Sequence, residues 1–347
     1  MHQTRLETVR TRFAPSPTGF LHVGGLRTAL YSFLFAKKHR GQFILRIEDT
    51  DQSRQVTNAT ENLIQTLQWA GISCDEGPVN GGPFGPYIQS ERLQLYHKYA
   101  TQLVEQEYAY YCFCSAERLE QVRARKIAAK LPLAYDRQCR NLSLSQAQVK
   151  INNGEKYVIR MKVPLTGELT FHDLIRGNVT IDYKNIDDQV LLKSDGFPTY
   201  HLAVVVDDHH MQISHVIRGE EWLSSTPKHL LLYTYLGWQA PQFAHLPLLL
   251  NPDKSKLSKR QGDVAVEDYI QKGYLKEALV NFIALLGWNP GTTREIFSLD
   301  ELITEFSLER VGKSGAIFNT EKLNWINHKW LTSYDLPKLC ELVLPFV

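Results

Sequence analysis

The sequence predicts an α/β fold in which an α+β insertion splits a parallel-sheet core and a mainly helical domain follows. Strand and helix patterns alternate over the first hundred residues, short β-type runs occupy the middle, and helical periodicity prevails after residue 262. Strand–helix–strand units of this length form parallel sheets with right-handed crossovers, because the helix returns the chain to the end of the sheet where the next strand starts.

The first hundred residues contain two predicted strands and three predicted helices. These are a strand at Val9–Phe13, a helix at Gly24–Arg40, a strand at Phe43–Ile47, and helices at Asn62–Trp69 and Glu91–Glu107. Apolar residues recur at helical spacing in the first helix, and its cationic last turn followed by Gly41 is typical of a helix end. Ser90 is the expected N-cap of the third helix.

Prolines and glycines break the middle of the chain into short β-type runs, after which the alternating pattern resumes. The β-type runs are Tyr157–Val163, Leu169–Leu174 and Val179–Tyr183. The later predictions are strands at His201–Val206, Val216–Ile217 and Leu246–Leu250, a helix from Ser225 to Gly237, and helices at Tyr274–Leu286 and Ser298–Phe306. A parallel core interrupted by an insertion accounts for this order.

These patterns divide the chain into five parts. We expect the first half of the core domain at 1–99, an insertion at 100–199, the second half of the core at 200–252, a loop and helical domain at 253–335, and the start of a further region at 336–347. The apolar residues 342–347 stop without a helix cap, so we expect the natural protein to continue beyond them.

Composition and charge exclude several classes of protein. The chain has 347 residues, 43% of them apolar, and a formal net charge of +2, which argues against a histone-like polycation. It has no run of about 18 apolar residues and no apolar signal segment at its N-terminus, so we expect no membrane partner. Five scattered cysteines do not form a disulfide framework, which favours a reducing cytoplasm.

The segment between the first strand and the first helix predicts a phosphate site. It reads RFAPSPTGFLHVGG from Arg12 to Gly25. In a parallel sheet, ligands bind beyond the strand C-termini, where a helix N-terminus attracts phosphate. Gly24 and Gly25 would let phosphate oxygens approach the backbone, and His22 adds a donor. The alternative is a plain turn rich in proline and glycine.

A second basic segment, DKSKLSKR at 253–260, carries four cations and one acid. Ammonium groups held beside a polyphosphate can neutralise the charge that develops on leaving pyrophosphate. The alternative is a solvated surface loop.

Both segments resemble the signatures of class I aminoacyl-tRNA synthetases. His22–Gly25 resembles the HIGH motif, and Lys256–Arg260 resembles KMSKS. Four further segments, at 13–19, 46–51, 195–201 and 216–222, resemble the bacterial glutamyl-tRNA synthetases in particular. The resemblance covers nearly the whole chain and implies a Rossmann-type core without the C-terminal anticodon-binding region. Gly25 and Val204 depart from the His and Asn that relatives carry there.

The resemblance also implies a glutamate pocket. Arg12 and Arg218 would bind carboxylates and Tyr200 would donate a hydroxyl, while Glu48 would accept the α-ammonium and Ser16 would assist. Guanidinium forks suit carboxylates, and two cations reject glutamine, whose neutral amide leaves one of them unpaired. The alternative for Glu48 is an ion pair with Arg46.

The implied reaction joins glutamate to ATP, with Mg²⁺ on the phosphates, and then transfers the glutamyl group to the 3′-terminal adenosine of tRNA(Glu). The implied catalytic residues are His22, Lys256 and Lys259, and the implied ATP-binding residues are Gly24, Gly25, Glu221, Leu257, Ser258 and Lys259. Two alternatives are the glutamyl-Q tRNA(Asp) synthetase paralogue, which glutamylates a modified base of tRNA, and a non-catalytic RNA-binding relative.

Three cysteines and a tyrosine in the insertion predict a zinc site. Cys112, Cys114 and Cys139 supply thiolates, and Tyr135 could complete a tetrahedron. Some relatives hold zinc here and others have lost it. The alternative is a set of free cysteines.

The remaining interpretations concern charge and aromatic residues. Residues 117–140 hold seven Lys or Arg against three acids, which predicts contact with the phosphates of the tRNA acceptor stem or, alternatively, a solvated charged helix. Asp207–His210 are interpreted as a polar loop with structural contacts, and Trp69, Trp222 and Trp238 as core residues. We expect a monomer.

Overall fold

The structure is a computed structural model that describes residues 8–257 and 264–344. The strands are β1 (Arg10–Phe13), β2 (Gln42–Leu45), β3 (Ala109–Cys112), β4 (Val158–Met161), β5 (Glu168–Asp173), β6 (Gly177–Asp182), β7 (Val190–Leu192), β8 (His215–Gly219), β9 (Gln242–Leu246), β10 (Leu249–Leu250) and β11 (Ala316–Ile317). The α-helices are α1 (Val23–Lys38), α2 (Ala59–Trp69), α3 (Leu93–Glu105), α4 (Ala116–Ala128), α5 (Leu144–Asn152), α6 (Tyr200–His210), α7 (Thr226–Leu236), α8 (Val266–Gln271), α9 (Lys276–Ala284), α10 (Leu299–Glu305), α11 (Thr320–Ser333) and α12 (Leu336–Val343).

A six-stranded sheet in the order β2-β1-β8-β9-β5-β6 forms the centre of the fold. β1 pairs in parallel with β2 and β8, and β9 pairs in parallel with β8 and β5. β6 is antiparallel to β5 at the edge. The predicted parallel core is therefore confirmed, and the β5–β6 hairpin, which lies in the predicted insertion, extends the core sheet.

Helix α1 begins and ends within two residues of its predicted bounds, Gly24–Arg40. His22 is its N-cap, and Lys37 and Lys38 lie in its last turn. The backbone then turns at Arg40, which has a φ of 53°, and the Gly41 N–H donates to the Ala36 carbonyl at 2.8 Å. The helix packs against α9 and α10, so its apolar face joins the core sheet to the helical domain.

A second core surrounds α6. The antiparallel sheet β3-β4-β7, together with α3 and α7, packs around α6. The strand prediction for His201–Val206 is wrong, because these residues belong to α6. Leu202–Val206 are all buried since neighbours enclose the helix on several sides, and a short apolar run of this kind carries no periodicity that separates a strand from a helix.

Three smaller expectations are also corrected. Asp207–His210 form the last turn of α6 and not a loop. Ser90 lies in a 3-10 turn at Gln89–Arg92, and α3 begins after it without a side-chain cap. The predicted strand Leu246–Leu250 is divided into β9 and β10, because Pro247 cannot donate to a sheet.

No helix of the described residues is long and apolar enough to cross a membrane.

The turn between α1 and β2 gives a stability prediction. A Cβ at Gly41 would overlap the carbonyl oxygen of Val9, so Gly41→Ala forces a backbone shift. We expect a loss of about 1–3 kcal/mol in the free energy of unfolding, measured by urea denaturation. Gly312→Ala is the control, because its Cβ meets no atom closer than 3.6 Å and its φ is not positive. Equal stabilities of the two variants would contradict the prediction.

Candidate active site

A cavity of about 640 Å³ opens where β1 and β8 end and α6 begins. The side chains of all five predicted glutamate-binding residues line it, and these are Arg12, Ser16, Glu48, Tyr200 and Arg218. The carboxyl ends of neighbouring parallel strands meet at one edge of a sheet, which explains why residues so distant in sequence come together. Glu221, a predicted ATP-binding residue, lies on the same wall.

Arg12 enters the cavity from β1 with its charge already paired. Its Nε donates to the Asp208 carboxylate of α6 at 3.1 Å, and both side chains are almost fully buried. Neither terminal nitrogen of Arg12 has a hydrogen-bond partner among the described residues. Burial opposes ionisation of Asp208, but the arginines beside it still hold its pKa below the usual range.

Glu48 lines the cavity and also binds Arg46, so the two interpretations of Glu48 are compatible. Arg46 Nη2 donates to Glu48 Oε1 at 2.9 Å, and Arg46 Nη1 donates to Asp208 at 2.7 Å. Arg46 is fully buried, yet its pKa lies above the usual range, because Asp208 and Glu48 outweigh the effect of burial. Burial raises the pKa of Glu48 despite this partner.

Arg218 is held in a different manner, entirely by neutral groups. Its Nε donates to His245 Nε2 at 3.0 Å. One terminal nitrogen donates to Tyr200 Oη at 3.0 Å and to His229 Nδ1 at 3.2 Å. The other terminal nitrogen donates to Thr226 Oγ1 at 2.9 Å. Burial lowers the pKa values of both histidines. Arg218 therefore brings an unneutralised positive charge to the cavity.

Tyr200 and Trp222 form an aromatic wall. Tyr200 is the first residue of α6, and its ring lies 4.2 Å from that of Trp222. Trp222 is 37% exposed and lines the cavity, so the expectation that it is a core residue is wrong. Trp69 and Trp238 are partly buried and pack against the two cores, as expected.

Ser16 lies in the loop that follows β1, and backbone hydrogen bonds hold this loop in place. The Glu48 N–H donates to the Pro15 carbonyl at 2.9 Å, and the Thr18 N–H donates to the Ser16 carbonyl at 2.8 Å. The loop is thereby attached to the residue that follows β2. Ser16 and Glu48 consequently keep a fixed relation across the cavity.

His22 caps helix α1 with its own ring. Its Nδ1 accepts from the Gly24 N–H at 2.9 Å, so the neutral imidazole carries its proton on Nε2. A side chain at Gly25 would meet Leu21 at 2.9 Å and Phe13 at 3.7 Å. Leu21 and Phe13 therefore fill the space beside position 25, where relatives with a complete HIGH motif carry a second histidine.

Backbone pairing joins the first phosphate motif to Val264 and Val266, which follow the second motif in the sequence. Val23 N–H donates to the Val264 carbonyl at 2.8 Å, and Val266 N–H donates to Leu21 at 2.9 Å. On the other side, Leu257 N–H donates to the carbonyl of Leu249 in β10 at 2.9 Å. Lys256 is exposed next to this pairing. Ser258 and Lys259, also predicted for this site, lie outside the described residues, as does Arg260.

Comparison with known proteins identifies the family. The family model "tRNA synthetases class I (E and Q), catalytic domain" matches residues 8–325. The chain belongs to this family. A glutamate–tRNA ligase of Chloroherpeton thalassium is 60% identical over 97% of this chain and 69% of the relative, and one of Chlorobium chlorochromatii is 60% identical over 98% and 70%.

Solved structures of this family share the fold. The crystal structure of a glutamate tRNA ligase from Elizabethkingia meningosepticum, in complex with its amino acid, has a TM-score of 0.92 and 44% identity, with 98% of this chain and 73% of that chain covered. The expected Rossmann-type class I core and the resemblance inferred from the six sequence segments are both confirmed. The individual residue roles remain predictions.

The predicted zinc ligands form one cluster on the second, antiparallel sheet. The thiol sulfurs of Cys112, Cys114 and Cys139 all lie within 4.8 Å of one another. Tyr135 Oη lies 3.3 Å from the sulfurs of Cys112 and Cys114. Hydrogen bonding by Cys139 is the main cause of a lowered pKa at Cys112. Three thiolates at this spacing fit three of the four positions of a tetrahedral zinc site.

Sequence reasoning missed the residues that orient the two arginines. These are Asp208 for Arg12, and His229 and His245 for Arg218. The one available signal was the acidic pair Asp207-Asp208 directly after an apolar run, since a carboxylate inside a buried helix requires a cationic partner. The histidines carried no local signal, because they lie in α7 and β9 far along the chain.

The buried ion network gives a second stability prediction. Arg46→Met removes the shared partner of Glu48 and Asp208 and leaves two buried carboxylates undercompensated. We expect a loss of about 3–5 kcal/mol in the free energy of unfolding, measured by urea denaturation without substrate. The matched control is Arg54→Met at the exposed rim, with an expected change below about 0.5 kcal/mol. A small effect at Arg46 would show that the network is dispensable for folding.

Proposed function

We propose that this chain is the catalytic part of a glutamate–tRNA ligase, which activates L-glutamate with ATP and transfers the glutamyl group to the 3′-terminal adenosine of tRNA(Glu). The observation that carries this proposal is the pairing of two guanidinium groups, Arg12 and Arg218, with one carboxylate, Glu48, in a single cavity. Glutamate presents the complementary set of two carboxylates and one ammonium.

The charges favour glutamate over glutamine. Seven charged side chains line the cavity, and they give it a net charge of +1, whereas glutamate carries −1. The positive ones are Arg12, Arg54, Lys193 and Arg218, and the negative ones are Glu48, Asp51 and Glu221. Glutamine is neutral overall, so it would leave a buried guanidinium without an opposing charge. A site built for an ionic partner rejects a neutral analogue more strongly than an apolar pocket rejects a missing methylene group.

The phosphate side of the site suits adenylate formation. An oxygen of the glutamate α-carboxylate attacks the α-phosphorus of ATP, the bond to the bridging oxygen breaks, and pyrophosphate leaves. The α1 N-terminus, the His22 Nε2–H, Lys256 and Lys259 would stabilise the charge on the transferring phosphorus and the leaving group. Mg²⁺ bound with ATP would add further charge neutralisation.

The second step forms the ester to tRNA. A hydroxyl of the terminal ribose attacks the acyl carbon of glutamyl-adenylate, AMP leaves with the electrons of the broken bond, and its phosphate takes up the hydroxyl proton. No protein nucleophile is required in either step, so the residues of the cavity act through position and charge. By family resemblance, bound tRNA would be needed for the first step as well.

The basic segment at residues 117–140 of the insertion is the candidate surface for the acceptor stem. Three of its seven cations are already paired within the protein, because Arg118 binds Asp136, and Arg137 and Arg140 bind Asp188. The cations without an ion pair among the described residues are Arg123, Arg125, Lys126 and Lys130, on or just after α4. These four are the residues that we propose contact RNA phosphates.

ATP–pyrophosphate exchange tests the proposed activity. We expect glutamate-dependent exchange that requires tRNA(Glu), with Arg218→Ala raising the KM for glutamate by about 100-fold or more through loss of a charge-assisted contact. Lys184→Ala, on an exposed turn, is the control and should match the unmodified protein. Exchange without tRNA would instead favour the paralogue that modifies tRNA(Asp), and no exchange under either condition would favour the non-catalytic relative.

We propose that the thiol cluster binds one zinc ion. Cys112, Cys114 and Cys139 would supply thiolates and Tyr135 the fourth ligand, and the ion would hold the insertion in shape beside α4. The expected zinc content is close to one equivalent in metal-washed protein. Cys139→Ser should lose the metal, whereas Cys340→Ser, outside the cluster, should retain it. Less than about a tenth of an equivalent in the unmodified protein would contradict the site.

A further inference from the structure

The surroundings of Arg218 differ from those of an ordinary buried arginine. The side chain is 5% exposed, and its hydrogen-bond acceptors are His245, His229, Tyr200, Thr226 and the Trp222 carbonyl. No carboxylate oxygen of residues 8–257 or 264–344 lies within 4.0 Å of its nitrogens. A buried cation normally sits beside an anion, because desolvation of an unpaired charge is costly.

His245 connects Arg218 by hydrogen bonds to a buried carboxylate, Asp173. Asp173, at the end of β5, is fully buried and contacts His245 Nδ1 at 2.6 Å. Its other oxygen accepts the backbone N–H groups of Ile175, Arg176 and His245 at 3.0, 2.8 and 3.3 Å. These contacts hold the carboxylate in place, and hydrogen bonding from His245 helps to hold its pKa below the usual range against the effect of burial.

The hydrogen bonds fix the proton positions of the histidines. Arg218 Nε can only donate, so His245 Nε2 must accept, and the His245 proton therefore lies on Nδ1 and points at Asp173. In the same way His229 Nδ1 accepts from Arg218, so its Nε2 donates to His201 Nδ1 at 3.1 Å. Both rings are neutral, and both present a lone pair to the guanidinium.

We propose that Asp173 and His245 are positioning residues for glutamate selection. Together they orient Arg218 through a neutral ring in place of a direct carboxylate contact. Because no carboxylate of the described residues lies within 4.0 Å of Arg218, the carboxylate of the substrate becomes its direct counter-ion. This inference rests on the proposed function and goes beyond it, because it assigns the charge selectivity of the cavity to groups that do not touch the substrate.

The hydrogen-bond chain from Asp173 through His245 to Arg218 predicts an effect of substitution that a purely structural contact would not produce. In Asp173→Asn, the amide oxygen can keep the three backbone N–H groups, and the amide nitrogen then faces His245 Nδ1 as a donor. The ring must take the other tautomer and turn an N–H toward Arg218 Nε, which sets donor against donor. Arg218 is thereby displaced although Asp173 lies outside the cavity lining.

Steady-state exchange kinetics on the purified chain with tRNA(Glu) separate positioning from folding. We expect Asp173→Asn to raise the KM for glutamate by about 10–100-fold, with the KM for ATP and the kcat nearly unchanged. Asp188→Asn is the matched control, since Asp188 is an equally buried carboxylate that holds Tyr110 and Arg140 in the insertion. Its KM for glutamate should stay at the value of the unmodified protein.

A second variant tests the missing counter-ion directly. Thr226→Asp places a carboxylate beside the Arg218 terminal nitrogen that now donates to the threonine hydroxyl at 2.9 Å. We expect the preference for glutamate over glutamine, measured as the ratio of kcat/KM values, to fall by about tenfold or more. Thr226→Ser keeps the hydroxyl and should retain the preference.

The outcomes distinguish this inference from the proposed function. If the unmodified chain shows no glutamate-dependent exchange, the proposed function itself fails. If the unmodified chain is active and Asp173→Asn and Thr226→Asp both keep its KM for glutamate and its preference, the positioning role is overturned. Equal changes in KM for Asp173→Asn and Asp188→Asn would overturn it too, since the effect would then reflect general destabilisation.

Discussion

The buried ion pair between Arg46 and Asp208 fixes the geometry on which the active-site cavity depends. Arg46 follows β2 and Asp208 belongs to α6, so the pair ties the core sheet to the helix at the centre of the second core. The same carboxylate holds Arg12 of β1, and the same guanidinium holds Glu48. A buried ion pair adds little stability compared with apolar residues of the same volume, although loss of one partner is costly. We therefore infer that this network serves mainly to fix the positions of its side chains.

Much of the fold could be predicted because its signals are local. The ends of α1, the prolines that break the insertion, and the glycine after α7 each act over a few residues. The wrong strand prediction for the residues of α6 has a different origin. Residues 202–206 are five consecutive buried apolar residues, three of them β-branched valines, and only their neighbours in space decide whether such a run is a strand or a helix.

The residues of the candidate site likewise divide into those that have a local sequence signal and those that have none. Residues proposed to touch substrates cluster in short motifs, because a loop or helix end presents several of them at once. The groups that orient these residues come from four distant elements, and each is a single side chain without a motif of its own. Asp208 and His245 are examples, since only the packing of α6 and the register of β8 with β9 bring them to their arginines.

The two arginines of the cavity show why chemistry cannot be read from residue type alone. Arg12 has a carboxylate at 3.1 Å, so its charge is largely cancelled within the protein, and its terminal nitrogens act mainly as hydrogen-bond donors. Within the part of the chain that the structure describes, Arg218 contacts only neutral acceptors, so its field extends into the cavity. The difference in affinity between two ligands that differ by one negative charge should therefore depend mainly on Arg218. The fold creates this difference by the unequal placement of counter-ions around two identical side chains.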